Sequence, residues 1–568
     1  MTLSTSPAGL DVPTVVSNMS TPGGFPEDKE KGTPEASSRS QSFETGSMSN
    51  ASVDHTHRRL KPRHIQLIGI GGSISTALYV QIGQGLLDGG PGNLLVAFII
   101  WCTFILAVTI SMAEMVTYLP ISSPFIRLAG RWVDEAYGFA TGWNFFIFQA
   151  ALIPFEIVAC TVILHYWTDA IPAGAVIAII IVCYAAINFL AVSAFGEVEF
   201  FTALFKVILI VALIFFTLFA MLGLNPQHDR FGFRYWNDPG AFAEFYSSGS
   251  FGRFLGFLQC LIQASFTIGG PEYVAMAAGE AGNPRSVMPK AFNAVFYRLT
   301  TFYVLGSLAV GILVPYTDQE LRTAFDVGSP GAAASPYVVA MRRLGVRVLP
   351  DIVNGMVFTS AFSAGNSYVY CASRSLYGLA LEGKAPKIFT RCTKHGIPIY
   401  AVMLVLLISL LSFLQVSNSA GVVLNWFVKL VTVSQLMNFG VVCFTYLRFY
   451  KGLKAQGIDR KTLPYRGLFQ PYAAWYGLIG TTIMSFLGGY NVFLDGKWNV
   501  PDFIFSYTMI AVFPLLIFGY KIINKTKFRS PEEMDLVKNL EEIEEHQKNF
   551  VPIPPRNLIE KVLDRVFA

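Results

Sequence analysis

Three ionisable side chains stand where apolar sequence continues on both sides of them: Glu156 in Pro154-Phe155-Glu156, Lys206 in Phe205-Lys206-Val207-Ile208, and Glu272 after Gly269-Gly270-Pro271. A charge inside hydrocarbon costs about 2.5–3.5 kcal/mol on insertion scales, so each marks either chemistry or a satisfied structural contact. The chemistry open to them is proton carriage. Burial favours the neutral amine of a lysine and nearby carbonyls favour its ammonium, so such a group can alternate between the two. Each residue also has a plainer reading. Lys206, roughly 10 Å into its run at 1.5 Å per residue, can snorkel to the membrane edge. Glu156 can bond a neighbouring helix, and Glu272 can cap a half-helix.

Two stretches of weakened backbone accompany these charges. Gly69-Ile70-Gly71-Gly72-Ser73-Ile74-Ser75-Thr76-Ala77 contains three glycines, each costing a helix about 1 kcal/mol relative to alanine. Gly269-Gly270-Pro271-Glu272 has the grammar of one helix stopping and another starting: terminating glycines, proline in the first turn, an acid beside it. Irregular backbone at membrane depth is tolerated only where protein buries it or where it lines a cavity, so paired interruptions predict a binding site between them. An interrupted helix offers free amides at the start of its second half and free carbonyls at the end of its first. Those groups suit a zwitterion. Its carboxylate is expected at the amides of Ser75, Thr76 and Ala77, and its ammonium at carbonyls near Ser73 and at Phe266, Thr267 and Ile268. Phe266 and Tyr79 offer apolar surface to a variable side chain, and neutral zwitterions are the expected preference. For coupling, the Lys206 ammonium is expected to hold the first stretch through carbonyls of Gly71 to Ser73 and to release it on losing its proton, with Glu272 and Glu156 as the other proton-coupling candidates.

The elements that must position these groups are apolar runs of spanning length, about twelve of them, at 65–87, 93–117, 137–166, 172–194, 199–223, 252–278, 291–315, 350–378, 398–417, 421–447, 471–494 and 501–522. The two interruptions fall in the first and sixth, which predicts an all-α integral membrane fold of two inverted five-helix repeats with broken helices 1 and 6 and two extra C-terminal helices. The eighth run carries Ser360, Ser363, Gly365, Asn366 and Ser367, a polar seam that either lines a coupling-ion site or ties helices together. Composition agrees: 53% of the 568 residues are hydrophobic and 14% charged, too apolar for a soluble multidomain chain. The net charge of +5 is spread over short clusters between runs, so it orients the protein in a bilayer rather than binding nucleic acid. Arg58, Arg59, Lys61 and Arg63, then Lys384 to Lys394, then Lys451 to Arg466, place those loops and both termini in the cytosol, although Arg230, Arg234, Arg342, Arg343 and Arg347 fall on the other side. The expected organisation is a disordered cytosolic tail at 1–57, a transporter domain at 58–523, and a cytosolic tail at 524–568 in which Pro531 to Lys548 reads as a solvated acidic helix. Phosphate loops, catalytic-triad spacings, redox cysteine pairs and metal-ligand spacings are missing, so no catalytic residue, metal or cofactor is expected and the chain does not read as an enzyme.

The order of motifs resembles the yeast amino-acid transporter family of fungal amino-acid permeases, within the amino acid, polyamine and organocation superfamily. The resemblance runs from about Arg63 to Tyr520. It rests on Arg63-His64-Ile65-Gln66 leading into Gly71-Gly72-Ser73-Ile74, on Gly138-Phe139-Ala140-Thr141-Gly142-Trp143-Asn144, and on Gly196-Glu197-Val198-Glu199-Phe200 before Lys206. Gly232-Phe233-Arg234-Tyr235-Trp236, Gly279-Glu280-Ala281-Gly282-Asn283-Pro284-Arg285 and Ser363-Ala364-Gly365-Asn366-Ser367 with Ala372-Ser373-Arg374 continue it. The resemblance implies a twelve-helix fold, proton-driven uptake at the plasma membrane, substrate carboxylate at the first interruption, and a span-5 lysine, here Lys206, in the place of a coupling cation. The chain departs from the family's usual Gly-Thr-Gly at Ser75-Thr76-Ala77, and from its usual Phe, Gln and small polar residue at Ile268, Gly269 and Pro271, which changes the shape of the pocket. Ala77-Leu78-Tyr79-Val80-Gln81-Ile82-Gly83 looks like an atypical branch in which carnitine or polyamines are also substrates.

The expected function is therefore import of an amino acid or related amine by proton symport with alternating access across a lipid bilayer. The alternatives are a carnitine or polyamine permease of the same fold, an exchanger without net proton flux, and a non-transporting nutrient sensor that signals through its tail.

Overall fold

The computed structural model describes residues 76–550, except 169, 191, 327–334 and 394–395, together with Ile65, Gly69, Gly72 and Ile74; side chains at 190, 192–198, 200, 280 and 325–326 lie outside the description. Among the described residues every regular element is helical. A π-helical turn, Ala77–Gln81, leads into α1 (Ile82–Tyr118), and together they make an apolar segment of 42 residues. Straight, it would reach roughly 63 Å, about twice a hydrocarbon core. It is instead folded at Gly90, whose φ of 79° only glycine adopts freely, followed by Pro91, which has no amide to give a helix. The corner is closed by a loop: the Gly92 N–H donates to the Ala241 carbonyl at 2.7 Å, and the Ala243 N–H to the Gly89 carbonyl at 2.9 Å.

A short helix, α2 (Pro124–Trp132), precedes α3 (Glu135–Leu164), α4 (Ala173–Leu190) and α5 (Val192–Met221). The sixth segment is α6 (Gly249–Thr267) and α7 (Pro271–Met276); the seventh is α8 (Pro284–Arg298) and, beyond a π turn, α9 (Leu305–Leu313). Apart from the short helices Gln319–Asp326, Pro336–Arg343 and Leu414–Ser417, the rest are α10 (Leu349–Leu381), α11 (Ile399–Ser409), α12 (Ala420–Ala455), α13 (Tyr472–Leu487), α14 (Val500–Asn524) and α15 (Leu540–Asn549). Among the described residues, eight segments are long and apolar enough to cross a membrane by length and composition. Each apolar run read from the sequence has its helix. The difference in count arises because Ala77–Tyr118 holds two runs, α4 and α13 are short, and α10 carries the polar seam. Helix α3 is the buried centre, with α10 and α12 packed on it, whereas α14 turns Leu515, Phe518 and Ile522 outward as lipid-facing residues do.

Charge fixes the two ends. Asp134 caps α3 by accepting from the Ala136 N–H at 3.0 Å and binds Lys521 Nζ at the end of α14 at 2.6 Å. Burial pushes the Asp134 carboxyl up, but Lys521, Thr526 and the Ala136 N–H together hold it below the usual carboxylate range. Several arginines that break the positive-inside pattern are neutralised by acids: Arg234 binds Asp229 at 2.6 Å, Arg342 binds Glu320 at 2.8 Å, and Arg343 binds Asp318 at 3.3 Å.

The C-terminal segment differs from the solvated helix read in the sequence. Helix begins only at Leu540, and the stretch before it is strapped across α2 and the ends of α1 and α12. The Trp132 indole donates to the Asp535 carbonyl at 3.0 Å, the Tyr118 hydroxyl to the Leu536 carbonyl at 3.2 Å, and Gln456 to the Met534 carbonyl at 2.7 Å. Met534, Leu536 and Ile543 are buried. Those apolar residues supply the docking energy that a purely acidic tail would lack.

Candidate functional site

The sixth segment breaks where its sequence says it should. Helix α6 ends at Thr267, Ile268 is extended (φ −98°, ψ 105°), Gly270 has a φ of 127°, and Pro271 opens α7. One oxygen of Glu272, Oε2, accepts from the Gly270 N–H at 3.1 Å, so the acid does cap its half-helix, while Oε1 has no hydrogen-bond partner among the described residues. In the first segment Gly72 lies in a turn and Ile74 in a bend, and helix resumes at Thr76. Gly71, Ser73 and Ser75 fall outside the described residues.

The two interruptions meet at one small cavity of about 30 Å3. Gly72 and Ala77 line it from the first segment, Phe266, Thr267, Gly269, Glu272 and Tyr273 from the sixth, Phe148 and Leu152 from α3, Tyr368 from α10, and Val431 and Gln435 from α12. That volume holds about two waters, so this is a closed arrangement from which aromatic side chains must withdraw to admit an amino acid. The Tyr368 hydroxyl donates to the Gly72 carbonyl at 3.1 Å, and Gln149 donates to the Tyr273 hydroxyl at 3.2 Å. Phe266 meets Phe155 edge to face at 5.3 Å, and the Thr267 hydroxyl donates to the Gln263 carbonyl at 2.8 Å. Glu272 is the one charged residue in the lining among the described residues. Ile268 is buried beside the cavity.

Next to the first interruption lies a charged group. Thr76 donates its hydroxyl to Glu156, which is fully buried in α3. The Tyr79 hydroxyl donates to the Lys206 carbonyl at 2.8 Å, so Tyr79 is engaged with α5 rather than placed in the cavity lining. Lys206 is 2% exposed, which removes the snorkelling reading. The charges of Glu199 and Glu156 both act on it. Sequence reasoning passed over Glu199, which lies seven residues before Lys206 and so on the same face of α5. Its Oε2 accepts from Ser367 at 2.7 Å and Ser363 at 3.4 Å. Asn188 of α4 donates to Asn366 at 2.9 Å and the Tyr184 hydroxyl to the Phe362 carbonyl at 3.1 Å. The polar seam of α10 thus ties α4 and α5 to itself and also faces the acid beside Lys206. A Cβ at Gly365 would stand 2.1 Å from the Tyr184 hydroxyl, which is why the seam has a glycine there.

An all-helical membrane protein whose broken sixth helix and first-segment interruption share a central cavity, with a buried lysine and acids at its edge, is built as a transporter rather than an enzyme. The chain belongs to the amino acid permease family, whose model matches residues 64–532. It is 48% identical over 500 residues to the general amino acid permease AGP2 of Saccharomyces cerevisiae, covering 87% of this chain and 84% of that protein. It is 40% identical over 512 residues to a proline-specific permease of Emericella nidulans, covering 89% and 92%. With the lysine-specific permease of Saccharomyces cerevisiae the identity is 36% over 493 residues, covering 86% and 80%.

Proposed function

We propose that the protein imports amino acids by proton symport with alternating access at the plasma membrane, with both tails, 1–57 and 524–568, in the cytosol and the transporter body at 58–523. The observation that carries this reading is the cavity shared by the two interruptions, with Thr76 linking its first-segment wall to Glu156 beside Lys206. Substrate carboxylate is received by the amides of Ser75, Thr76 and Ala77, and ammonium by carbonyls near Ser73 and at Phe266, Thr267 and Ile268. Lys206 carries the proton, with Glu156 and Glu272 as its partners in coupling. The printed substrates of the relatives, amino acids broadly, proline and lysine, support an amino acid as the transported class. A lining that is aromatic and apolar apart from Glu272 and a few hydroxyl and amide groups supports a neutral zwitterion.

The test is uptake by vesicles holding the full chain, with labelled neutral and basic amino acids, carnitine and spermidine, with and without an imposed pH gradient. Accumulation of a neutral amino acid that collapses with a protonophore is the expected result. Uptake unaffected by the protonophore makes the protein an exchanger, and spermidine or carnitine moving much faster than any amino acid rejects the substrate class.

Gly72→Ala probes the cavity directly. Its Cβ would stand 2.7 Å from the Tyr273 ring, so the ring must shift into the space the substrate needs. Overpacking of this kind costs about 1–3 kcal/mol, and if substrate binding bears it, KM rises about ten-fold per 1.4 kcal/mol. Unchanged KM with normal protein levels would place the substrate elsewhere.

A further inference from the structure

One buried charge is left unused by this mechanism. Arg298 ends α8, midway along the segment Pro284–Leu313, and is 5% exposed. A guanidinium has five N–H donors; among the described residues Nη1 is the one engaged, donating to the Gly69 carbonyl at 2.6 Å. Nε and Nη2 have no hydrogen-bond partner among the described residues. Glu272, 3% exposed, stands nearby with its Oε1 equally unpartnered. The two charges act on each other without closing to an ion pair among the described residues, and Tyr303 is the other titratable group acting on Arg298. The first segment presses directly on α7, since a Cβ at Gly69 would lie 2.5 Å from Val274 Cγ2. Arg298 therefore sits where the stretch before the first interruption meets the start of the second half of the sixth helix.

A buried guanidinium cannot be stripped of its partner cheaply. If Gly69 moves away as the cavity opens, the Nη1 bond must go with it, and an uncompensated cation would then oppose opening. Among the described residues the carboxylate acting on Arg298, Glu272, has an oxygen without a hydrogen-bond partner. We propose that Arg298 is a positioning residue with two alternative acceptors: it holds the Gly69 carbonyl in the closed arrangement and passes to Glu272 Oε1 when the first segment opens. The exchange gives the guanidinium an acceptor in both states, which is what a two-state element needs if both states are to be populated. The inference rests on the alternating-access reading, but the state it describes can be read without substrate or protons.

The test places Val431→Cys in the cavity lining and measures labelling of the peptide around position 431 by a membrane-impermeant maleimide, added from each face in turn to oriented vesicles of the full chain. Glu272→Gln keeps the shape and the acceptor toward Gly270 but removes the charge that awaits Arg298. It is expected to lower labelling from the face on which Gly69 lies by at least about five-fold, the lower end of ordinary coupling energies. In an Arg298→Gln background the same substitution should change labelling by less than about two-fold, because the partner that gives Glu272 its role is gone. Where Arg298→Gln does not accumulate, Arg298→Lys serves, because a point-charged ammonium on a different stem lacks the fork needed to reach both acceptors, and the same loss of effect is expected. A Glu272→Gln effect of equal size in both backgrounds, or no effect in either, overturns the proposal: the first outcome reduces Glu272 to a helix cap and the second removes it from opening altogether.

Discussion

Replacing Lys206 with alanine abolishes accumulation driven by a pH gradient, as the expected result, while exchange of labelled for unlabelled substrate persists at a reduced rate. Lys206 is buried, the charges of Glu199 on its own α5 and Glu156 on α3 act on it, and Glu156 also takes the hydroxyl of Thr76 at the first interruption. Removing the lysine takes away the group on which both acids act, and with it the charge that proton binding and release would modulate. The backbone groups proposed to receive the substrate are untouched, which is why exchange is expected to survive. Lys206→Arg is expected to fail in the same way for the opposite reason, since arginine keeps its proton at all accessible pH values. The two substitutions together separate a proton carrier from a structural cation, because a structural cation would be rescued by arginine. The measurement is the ratio of internal to external substrate as external pH is varied. A Lys206→Ala protein that still concentrates substrate with unchanged pH dependence would move the proton to Glu156 or Glu272.

Glu114→Ala is expected to have the largest effect on the fold itself. Glu114 is fully buried near the end of α1 and takes Arg460 in a fork, Nε to Oε1 and Nη2 to Oε2, both at 2.7 Å, with the Gly467 N–H also donating to Oε2 at 2.7 Å. Removing one partner of such a pair strands the other and costs about 3–5 kcal/mol, a large share of the roughly 5–15 kcal/mol by which a domain is stable. The loop after α12 would lose its anchor on α1, and thermal unfolding in detergent should move down sharply with little protein reaching the membrane. Replacing both residues, Glu114→Leu with Arg460→Met, should recover most of the loss because no charge is left uncompensated. Single and double variants of equal stability would mean that the pair is solvated in the working protein.

Much of this architecture is readable in the sequence because the bilayer imposes its own length and polarity on each segment. The sixth break is the plainest instance: Gly269-Gly270-Pro271-Glu272 specifies a stop, a left-handed glycine and a start, and the structure has Gly270 at φ 127° and Pro271 opening α7. Lys206 and Glu156 stand out for the same reason, since a charge in an apolar run must be accounted for. Arg298, Glu199 and Glu114 meet the same criterion less plainly; each lies in the first or last third of its run, so it passes for a boundary residue until the structure shows it buried. Tyr79 illustrates a different limit. Its ring has the right character for a pocket wall, but the π-helical turn at Ala77–Gln81 directs the hydroxyl to the Lys206 carbonyl, and no local pattern announces such a turn. The docking of the C-terminal segment is hidden too, as its partners Trp132 and Tyr118 lie 403 and 418 residues from the carbonyls they bind.

That distance has a consequence in time. The bond from the Trp132 indole to the Asp535 carbonyl joins residues 403 apart in the chain. At a synthesis rate of roughly 5–20 residues per second, the indole waits about 20–80 s for its partner while the later helices are made and inserted. Through that interval the surface of α2 that the strap will cover, and the end of α1 beside it, stand open with their polar and apolar groups unmatched. Assembly of this face is therefore gated by translation, and a ribosome that stalls before Pro531 leaves behind a chain that lacks α15 and whose seam has never been closed.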